Sequence, residues 1–373
     1  MAEMIGVDIG ATAVRVVQVA GVDSRGMAIV TKVGISPVAE GAIIAGRIRK
    51  PEEVSVALVR AFKEAGINRR YGFVIGIESP EISLTSISLP AALKRDERGG
   101  AIRTMNKPLA PTFGISDSAI STCLIETSEL NKTPMHTVSV AAALRSEVDM
   151  LSTVCALAKA TPRSIDLTGA GLLRAYTRAN PENHEIGTVV SIGASRVTVA
   201  TRSGMHLRSL RTVAGAGSEI TRAIIQATGE EYERAEELKI LARIDNSGFN
   251  KASSSYQLDE SFSIDGSDPV ERAIANSTNI LVDSIAQAIE SDANNFNSFS
   301  QGVVLVGGTA LLRGLKEKLT QRIGIPVSIG RPWAEIERSR RNALFFKENS
   351  KVDPRLLLAI GPAVGLALWK DPL

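Results

Sequence analysis

Two short turns of small residues have the composition needed to bind a phosphate group. One lies in residues 8–17 (DIGATAVRVV), after Asp8, and the other in residues 191–200 (SIGASRVTVA), after Ser191. Backbone N–H groups that no bulky side chain shields can approach a phosphate oxygen and donate hydrogen bonds to it. Any hairpin can use glycine in its turn, but two such turns facing each other would form a phosphate clamp.

The two stretches are also similar to each other. At an offset of 183 residues, about half of the 373-residue chain, five of ten aligned positions are identical, among them Gly10 with Gly193 and Ala11 with Ala194. Each copy has an apolar run, a glycine with small residues, and alternating valines, which is the pattern of a β-hairpin. The sequence therefore predicts an internal duplication with one hairpin turn in each half.

A third glycine turn lies in the last third of the chain. Residues 301–308 (QGVVLVGG) predict a buried strand that ends at Gly307 and Gly308, and leucines at helical spacing after Thr309 predict a helix. Glycines permit a close backbone approach, and the dipole at a helix N-terminus favours anionic groups. A third such turn in a duplicated chain indicates a nucleotide site.

The composition excludes several classes of protein. The 43 Lys and Arg against 40 Asp and Glu give a net charge of +3, which is too small for a dedicated nucleic-acid binder. Two distant cysteines and three isolated histidines make no disulfide framework and no histidine-rich metal site. Residues 356–369 are too short to span a bilayer and predict a buried helix that begins at or is kinked by Pro362, in a cytoplasmic protein.

The elements that position the turns follow an α/β pattern. A helix is predicted at residues 52–65, and strands are predicted at residues 73–77 and 82–89. Residues 94–145 combine a basic helical run with two strand-like stretches, which indicates an inserted α+β subdomain.

A second insertion is predicted in the other half of the chain. Residues 226–300 contain 14 acidic and five basic residues, which is typical of a solvated acidic face, with a partner surface as the alternative. Residues 246–268 are rich in Ser, Gly and Asp with weak periodicity, so they predict an exposed or mobile loop.

These features together resemble the superfamily of actin, sugar kinases and heat-shock chaperones, and within it the PilM-type proteins of type IV pilus assembly. The resemblance is carried by the glycine turns, by a connecting helix at residues 166–176, and by residues 216–239 (AGSEITRAIIQATGEEYERAEELK), 307–327 (GGTALLRGLKEKLTQRIGIPV) and 359–368 (AIGPAVGLAL). It implies an α/β protein with a duplicated actin-like ATPase fold. Each of two lobes would have a central mixed sheet flanked by helices, and an inserted α+β subdomain.

The resemblance also implies an order of segments along the chain. The segments are the first-lobe core (1–88), an inserted subdomain (89–150), first-lobe core with the connecting helix (151–186), second-lobe core (187–225), second-lobe insertion (226–300), second-lobe core (301–345) and a C-terminal helix returning to the first lobe (346–373).

The resemblance implies that ATP binds between the lobes. The first two turns would hold the β- and γ-phosphates, with Arg15 where the family usually has lysine, so that the charge is kept but presented as a planar fork. Glu236 and Lys239 would contact ribose and adenine, although an i, i+3 pair can instead stabilise a helix surface. The implied ATP-binding residues are Gly10, Ala11, Thr12, Ala13, Arg15, Gly193, Ala194, Ser195, Ala216, Gly217, Glu236, Lys239, Gly307, Gly308, Thr309 and Leu312.

The resemblance places Mg²⁺ beside Asp8 and Asp166, whose carboxylates would orient its water ligands, and Asp166 would also be the candidate for orienting an attacking water. Ser191 stands where the family usually has a further carboxylate. A serine hydroxyl brings no negative charge to offset Mg²⁺ or to polarise a water. We therefore expect nucleotide binding with weakened metal dependence, and slow or absent hydrolysis.

The implied function is that of a cytoplasmic nucleotide-binding scaffold of a type IV pilus or related secretion machine. Its partner would be the cytoplasmic N-terminal tail of a bitopic inner-membrane protein like PilN, which would recruit it to the inner face of the membrane, with other pilus motor components as further partners. Two alternatives on the same fold stay open: a filament-forming cytoskeletal ATPase like FtsA or MreB, and a small-molecule kinase. The kinase needs a carboxylate general base, and no motif nominates one.

Overall fold

Two mixed β-sheets, one for each half of the chain, form the framework of this protein. The computed structural model describes residues 4–24, 26–79, 81–105, 114–130, 133–177, 186–203, 206–213, 215–242, 268–296, 299–330, 333–336 and 358–369. The strands are β1 (Met4–Ile9), β2 (Ala13–Val22), β3 (Ala28–Pro37), β4 (Ile43–Ile44), β5 (Arg47–Ile48), β6 (Phe73–Ile77), β7 (Ser83–Pro90), β8 (Ser118–Leu130), β9 (Thr133–Leu144), β10 (Pro162–Leu167), β11 (Ile186–Ile192), β12 (Val197–Ser203), β13 (His206–Val213), β14 (Val303–Val306), β15 (Val327–Ile329) and β16 (Trp333–Ile336). The helices are α1 (Pro51–Ala65), α2 (Arg95–Thr104), α3 (Arg145–Leu157), α4 (Thr168–Thr177), α5 (Gly217–Thr228), α6 (Tyr232–Leu241), α7 (Pro269–Phe296), α8 (Leu315–Ile323) and α9 (Gly361–Ala367).

The two sheets repeat one topology. The first has the strand order β10-β6-β1-β2-β3-β16, in which β1, β2 and β3 are antiparallel and β6 and β10 run parallel to β1. The second has the order β13-β12-β11-β14-β15, in which β11, β12 and β13 are antiparallel and β14 and β15 run parallel to β11. Equivalent strands have the same order and direction, so the predicted duplication into two lobes is confirmed.

Helix α1 begins and ends close to where the sequence predicts. Pro51 lies in its first turn, where the missing N–H is harmless, and Gly66 ends it in the left-handed region at φ 63°. Its apolar face packs on β2 and β3. At Gly34 of β3 a Cβ atom would lie 2.0 Å from the backbone oxygen of Ala61, so this glycine allows the close approach of helix and sheet.

Helices α4 and α9 lie between the two sheets. Helix α9 has Pro362 in its first turn, in agreement with the prediction, and it packs on β1, β2 and α4 of the first lobe. Helix α4 also packs on β12 of the second sheet. A Cβ atom at Gly365 would lie 1.7 Å from the backbone oxygen of Gly171, so α9 and α4 touch backbone to backbone. Among the described helices, none is long and apolar enough to cross a bilayer.

Three elements lie in other segments than expected. The inserted subdomain is a three-stranded sheet in the order β7-β9-β8 with α2, and it begins at Ser83 rather than residue 89 because the whole of β7 pairs with β9. Helix α3, expected partly in that subdomain, packs on α1 in the first-lobe core instead. Strand β16, expected in the second lobe, pairs in parallel with β3 of the first sheet, where it covers an edge strand.

Helices make up most of the second-lobe insertion in the part of the chain that the structure describes. Residues 226–242 hold the end of α5 and helix α6, and residues 268–296 hold α7, which buries Leu281 and Ile285 in the second-lobe core. Apart from Asp268, the loop predicted at residues 246–268 lies outside the described residues.

Candidate functional site

The two glycine turns have the same backbone geometry. In the first lobe the N–H of Gly10 donates to the carbonyl oxygen of Ala13 at 3.0 Å. In the second lobe the N–H of Gly193 donates to the carbonyl oxygen of Arg196 at 2.9 Å. Each donor and acceptor is 183 positions from its counterpart, so the hairpin turns are structurally equivalent down to this hydrogen bond.

The two turns line the same cleft between the lobes. Gly10 and Ala11 lie on one side of it, and Ser195 and Arg196 lie on the other, around a cavity volume of about 190 Å³. The cleft continues past Glu78 at the end of β6, the β4–β5 hairpin and the first turn of α3. The structure thus brings the two predicted phosphate turns face to face.

The first turn is held by a buried ion pair. Arg15 Nη1 donates to Asp8 Oδ2 at 3.1 Å and to the backbone oxygen of Ala13 at 3.2 Å. Burial raises the pKa of the Asp8 carboxyl to about 6, against the attraction of Arg15 and Arg196, while the nearby charge of Glu78 raises it further. The loss of hydration therefore has a larger effect on the pKa of Asp8 than the attraction of the cations has.

Beside each glycine turn, a cationic side chain has a buried donor without a partner. Arg15 Nε and Arg196 Nη1 are both shielded from solvent, and neither makes a hydrogen bond within the described residues. A buried N–H without an acceptor is costly, and an anionic oxygen is the acceptor that best offsets it. The Arg196 guanidinium, which lines the cleft, therefore fits a phosphate group, and the Arg15 guanidinium lies next to the turn at Gly10.

The second turn packs on the N-terminus of α5. Gly217 N–H donates to Gly193 O at 3.0 Å, and the Thr309 hydroxyl donates to the same oxygen at 3.3 Å. A Cβ atom at Gly217 would lie 2.3 Å from Thr309 Oγ1, so a side chain there would displace the Thr309 hydroxyl. Ala216 caps this helix and is buried. The sequence-predicted residues of the second lobe thus form one contiguous cluster.

Glu236 and Lys239 tie α6 to α5. Lys239 Nζ donates to the Gly217 carbonyl oxygen at 3.2 Å and to Thr221 Oγ1 at 2.8 Å, and it forms an ion pair with Glu236. The Thr221 hydroxyl also donates to Glu236. The three donors of the ammonium are engaged inside the protein, which supports the interpretation of the pair as a stabilising contact; contact with ribose and adenine stays a prediction.

The comparisons with known proteins decide the family. The family model described as "Type IV pilus assembly protein PilM" matches residues 6–369. The chain belongs to the PilM family. Among solved structures, a PilM-PilN type IV pilus biogenesis complex has 21% identity and a TM-score of 0.77, with 98% of each chain covered.

More distant structures share the fold of this PilM-family chain. The ethanolamine utilization protein EutJ from Carboxydothermus hydrogenoformans has 13% identity and a TM-score of 0.50, over 99% of this chain and 90% of the other. A diol dehydratase-reactivating factor in nucleotide-free form has 10% identity and a TM-score of 0.51, over 99% of both chains. Together with the repeated sheet topology, these similarities confirm the expected two-lobed actin-like fold.

The carboxylates predicted to serve Mg²⁺ in this PilM-family chain are not assembled as a ligand set. Asp166 is the second-last residue of strand β10 and not the first residue of the connecting helix, which begins only at Thr168. Strand β6, with Gly76 in register beside Asp166, lies between the strands of the two aspartates, so their Cα atoms are about 10 Å apart at the ordinary strand spacing.

Each of these carboxylates also has its own arginine. Asp166 pairs with Arg174 and accepts the N–H of Leu167 at 2.8 Å, as Asp8 pairs with Arg15. Within the described residues no group of three or more His, Cys, Asp or Glu could hold a metal ion. These side chains do not fit a directly bound Mg²⁺, and the water-orienting role of Asp166 stays a prediction.

The third glycine turn is placed against the end of β11. Gly307 has φ 88°, and a Cβ atom there would lie 2.5 Å from the backbone oxygen of Ile192. A short 3₁₀ turn, Gly308–Leu311, follows it, and helix α8 begins only at Leu315. Leu312, implied as an ATP-binding residue at the end of this turn, packs its side chain in the second-lobe core, and its contact with ATP stays a prediction. An apolar side chain at that position gains more from burial than from the cleft.

Two residues of the cleft were not predicted from the sequence. Glu78 accepts a hydrogen bond from the hydroxyl of Thr198 in the opposite lobe, and Arg196 reaches the cleft from the second turn. Glu78 directly follows the buried strand β6, and polar residues at the carboxyl ends of parallel strands are a recognised signal. Arg196 aligns with Ala13 at the offset of 183 residues. The alignment of the two turns therefore shows that the second turn has a positive charge that the first turn lacks.

Proposed function

We propose that this chain is a nucleotide-binding scaffold of type IV pilus assembly that holds ATP between its two lobes. The observation that carries the proposal is the pair of unpartnered guanidinium donors, Arg15 Nε and Arg196 Nη1, beside two turns of equivalent geometry. Phosphates would accept hydrogen bonds from these donors and from the glycine turns, and so join the lobes. Gly10 to Ala13 and Gly193 to Ser195 are the turn residues in this role.

ATP would act here as a structural ligand. A ligand that binds only the folded, closed protein stabilises it by mass action, without turnover. Ser191 lies beside Thr198, where the equivalent strand position of the first lobe has Asp8 beside Arg15. Without a carboxylate at Ser191, the second turn has little means to polarise a water, so hydrolysis is slow or absent.

The proposed partner is the cytoplasmic N-terminal tail of a PilN-like inner-membrane protein. Support comes from the solved PilM-PilN complex, whose PilM-family fold this chain shares along its length. The flanks of the first lobe, with the inserted β7-β9-β8 sheet, are the proposed location of the tail. The partner would hold the chain at the inner face of the cytoplasmic membrane, where other motor components could join it.

Nucleotide binding is tested by calorimetric titration of the full chain with ATP, with and without Mg²⁺, followed by a phosphate-release assay. We expect saturable binding, and release far below about 1 per second, the lower end of ordinary enzyme turnover. Ser191→Asp should raise the release rate in part. Rapid release by the wild type would reopen the kinase alternative, and absence of binding would refute the proposal.

Partner binding is tested separately with a synthetic peptide that carries the cytoplasmic N-terminal residues of a PilN-like protein from the same organism. We expect saturable binding to the full chain and none by a peptide of the same composition in scrambled order. Equal binding of the two peptides would show that charge alone, not the tail sequence, is recognised.

A further inference from the structure

Arg196 is the most deeply placed cation of the cleft. It is 8% exposed, it lines the cavity, and its Nη1 has no hydrogen-bond partner among the described residues. It comes from the second turn, directly after Ser195, while Gly10 and Ala11 face it from the first turn. Its guanidinium is therefore next to the space in which phosphates would lie.

The β4–β5 hairpin of the first lobe contacts the guanidinium of Arg196. Strands β4 and β5 are joined by a two-residue turn, Ala45 and Gly46, with φ values of 47° and 75°. Both residues have positive φ, as a tight hairpin turn of this kind requires. A Cβ atom at Gly46 would lie 0.7 Å from Arg196 Nη2, so the guanidinium fills the space that a side chain at position 46 would need.

This contact fixes a cation of one lobe with the backbone of the other. An arginine held in one orientation loses less conformational freedom when it binds an oxyanion than a freely rotating side chain would. A charge-assisted hydrogen bond to a phosphate oxygen is among the stronger polar interactions in proteins. A nucleoside triphosphate has one more phosphate than a diphosphate to offer to such a donor.

We propose that Arg196 distinguishes nucleoside triphosphates from diphosphates by binding the terminal phosphate, and that the turn at Gly46 holds Arg196 in position. The inference rests on the proposed nucleotide function and adds to it a residue that selects the phosphate state. It makes the contact between the β4–β5 turn and Arg196 part of triphosphate recognition.

The first test compares ATP and ADP affinities, by calorimetry on the full chain, for the wild type and Arg196→Ala. We expect the variant to lose about tenfold in ATP affinity, the effect of one charge-assisted hydrogen bond, with less than about a twofold change for ADP. The ADP titration also reports whether the variant is folded. Equal losses for both nucleotides, or no loss for ATP, would overturn the assignment; a wild type that binds neither nucleotide would refute the proposed function itself.

The second test concerns the hairpin turn and uses two glycines with similar backbone strain. Gly46→Ala and Gly41→Ala both place a side chain at positive φ, at 75° and 69°, but at Gly41 the nearest atom to the new Cβ would be Lys50 Nζ at 4.0 Å. We expect Gly46→Ala alone to lower ATP affinity selectively, to about the extent of Arg196→Ala.

The two effects should not add. In the Arg196→Ala background, Gly46→Ala should cause no further loss of ATP affinity, because the guanidinium that the new side chain would displace is absent. Additive losses, or an equal loss from Gly41→Ala, would show that Gly46 acts through backbone strain and not through Arg196.

Discussion

The β1–β2 hairpin of the first lobe and the β11–β12 hairpin of the second lobe occupy equivalent places, but their charges differ. In the first, Asp8 and Arg15 lie opposite each other on β1 and β2 and form a buried ion pair. In the second, the equivalent pair is Ser191 and Thr198, which is uncharged. Thr198 instead donates a hydrogen bond across the cleft to Glu78 of the first lobe.

The two lobes place the positively charged side chain of the hairpin at different positions. The first lobe places its cation on a strand, where Arg15 serves partly to neutralise Asp8. The second lobe places its cation in the turn itself, where Arg196 occupies the position equivalent to Ala13. A backbone repeated with the same hydrogen bond can thus place its cation in an ion pair on the strand in one copy, and in the turn that lines the cleft in the other.

The ion pair of the first hairpin should give the largest effect when it is broken. Arg15→Met leaves the Asp8 carboxylate buried without its nearest cation, and we expect the free energy of unfolding at neutral pH to fall by about 3 kcal/mol. Urea denaturation measures this. Arg234→Met, which breaks the exposed pair with Glu237, is the control and should cost less than about 0.5 kcal/mol. Similar small losses in both variants would mean that Arg15 contributes little to the first hairpin.

The same pair should give the first hairpin a pH dependence that the second lacks. The folded protein holds the Asp8 proton up to a pKa of about 6, against an ordinary value of 3.8. The resulting stabilisation is complete below the ordinary value and is lost as pH rises through about 6. Between about pH 4 and about pH 7, Asp8→Asn should therefore gain about 2 to 3 kcal/mol in stability relative to the wild type.

The control for this pH dependence is Ser191→Asn at the equivalent strand position of the second lobe. Its stability relative to the wild type should be flat over the same range, because no titrating side chain is replaced. A flat difference for Asp8→Asn as well would place the Asp8 pKa in its ordinary range.

What the sequence predicted correctly is local in the chain. The hairpin turns, helix α1 and the start of α9 follow from the spacing of apolar residues, glycines and prolines within each segment, and the duplication follows from the repeat of ten residues. The turns could be recognised as phosphate-binding candidates because their chemistry lies in consecutive residues.

What the sequence did not predict depends on contacts between distant segments. Nothing near Trp333 indicates that β16 pairs with β3, and nothing near Gly46 indicates that Arg196 lies over it. Leu312 has the helical spacing of its neighbours, but only the packed core shows that its side chain is buried away from the cleft. The local patterns therefore defined elements and turns, while the three-dimensional packing decided which side chains face the site.

The hydrogen bond from Thr198 to Glu78 should contribute less to stability than the ion pair of the first hairpin. Thr198→Val keeps the shape of a buried side chain and removes the donor to a carboxylate, so we expect a loss of about 1.5 kcal/mol in the free energy of unfolding. Thr188→Val is the matched control, because Thr188 is buried on the same sheet and its hydroxyl meets, among the described residues, only the hydroxyl of Thr201 at 3.3 Å. It should cost less, about 0.5 to 1 kcal/mol. An equal cost would mean that the bridge between the lobes contributes no more than an internal contact.

The smallest expected effect comes from the turn glycines themselves. A Cβ atom at Gly10 would lie 2.7 Å from Arg15 Nη1, whereas at Gly193 its nearest neighbour would be the backbone oxygen of Arg196 at 3.1 Å. Gly10→Ala must shift the guanidinium of the ion pair and should cost about 1 kcal/mol, while Gly193→Ala should stay within about 0.5 kcal/mol because the lower entropy of its unfolded chain offsets the tight contact. Urea denaturation of both variants in parallel gives the difference. A larger loss from Gly193→Ala than from Gly10→Ala would mean that the second turn is the more tightly packed of the two. The two turns would then be equivalent in their backbone but not in their packing.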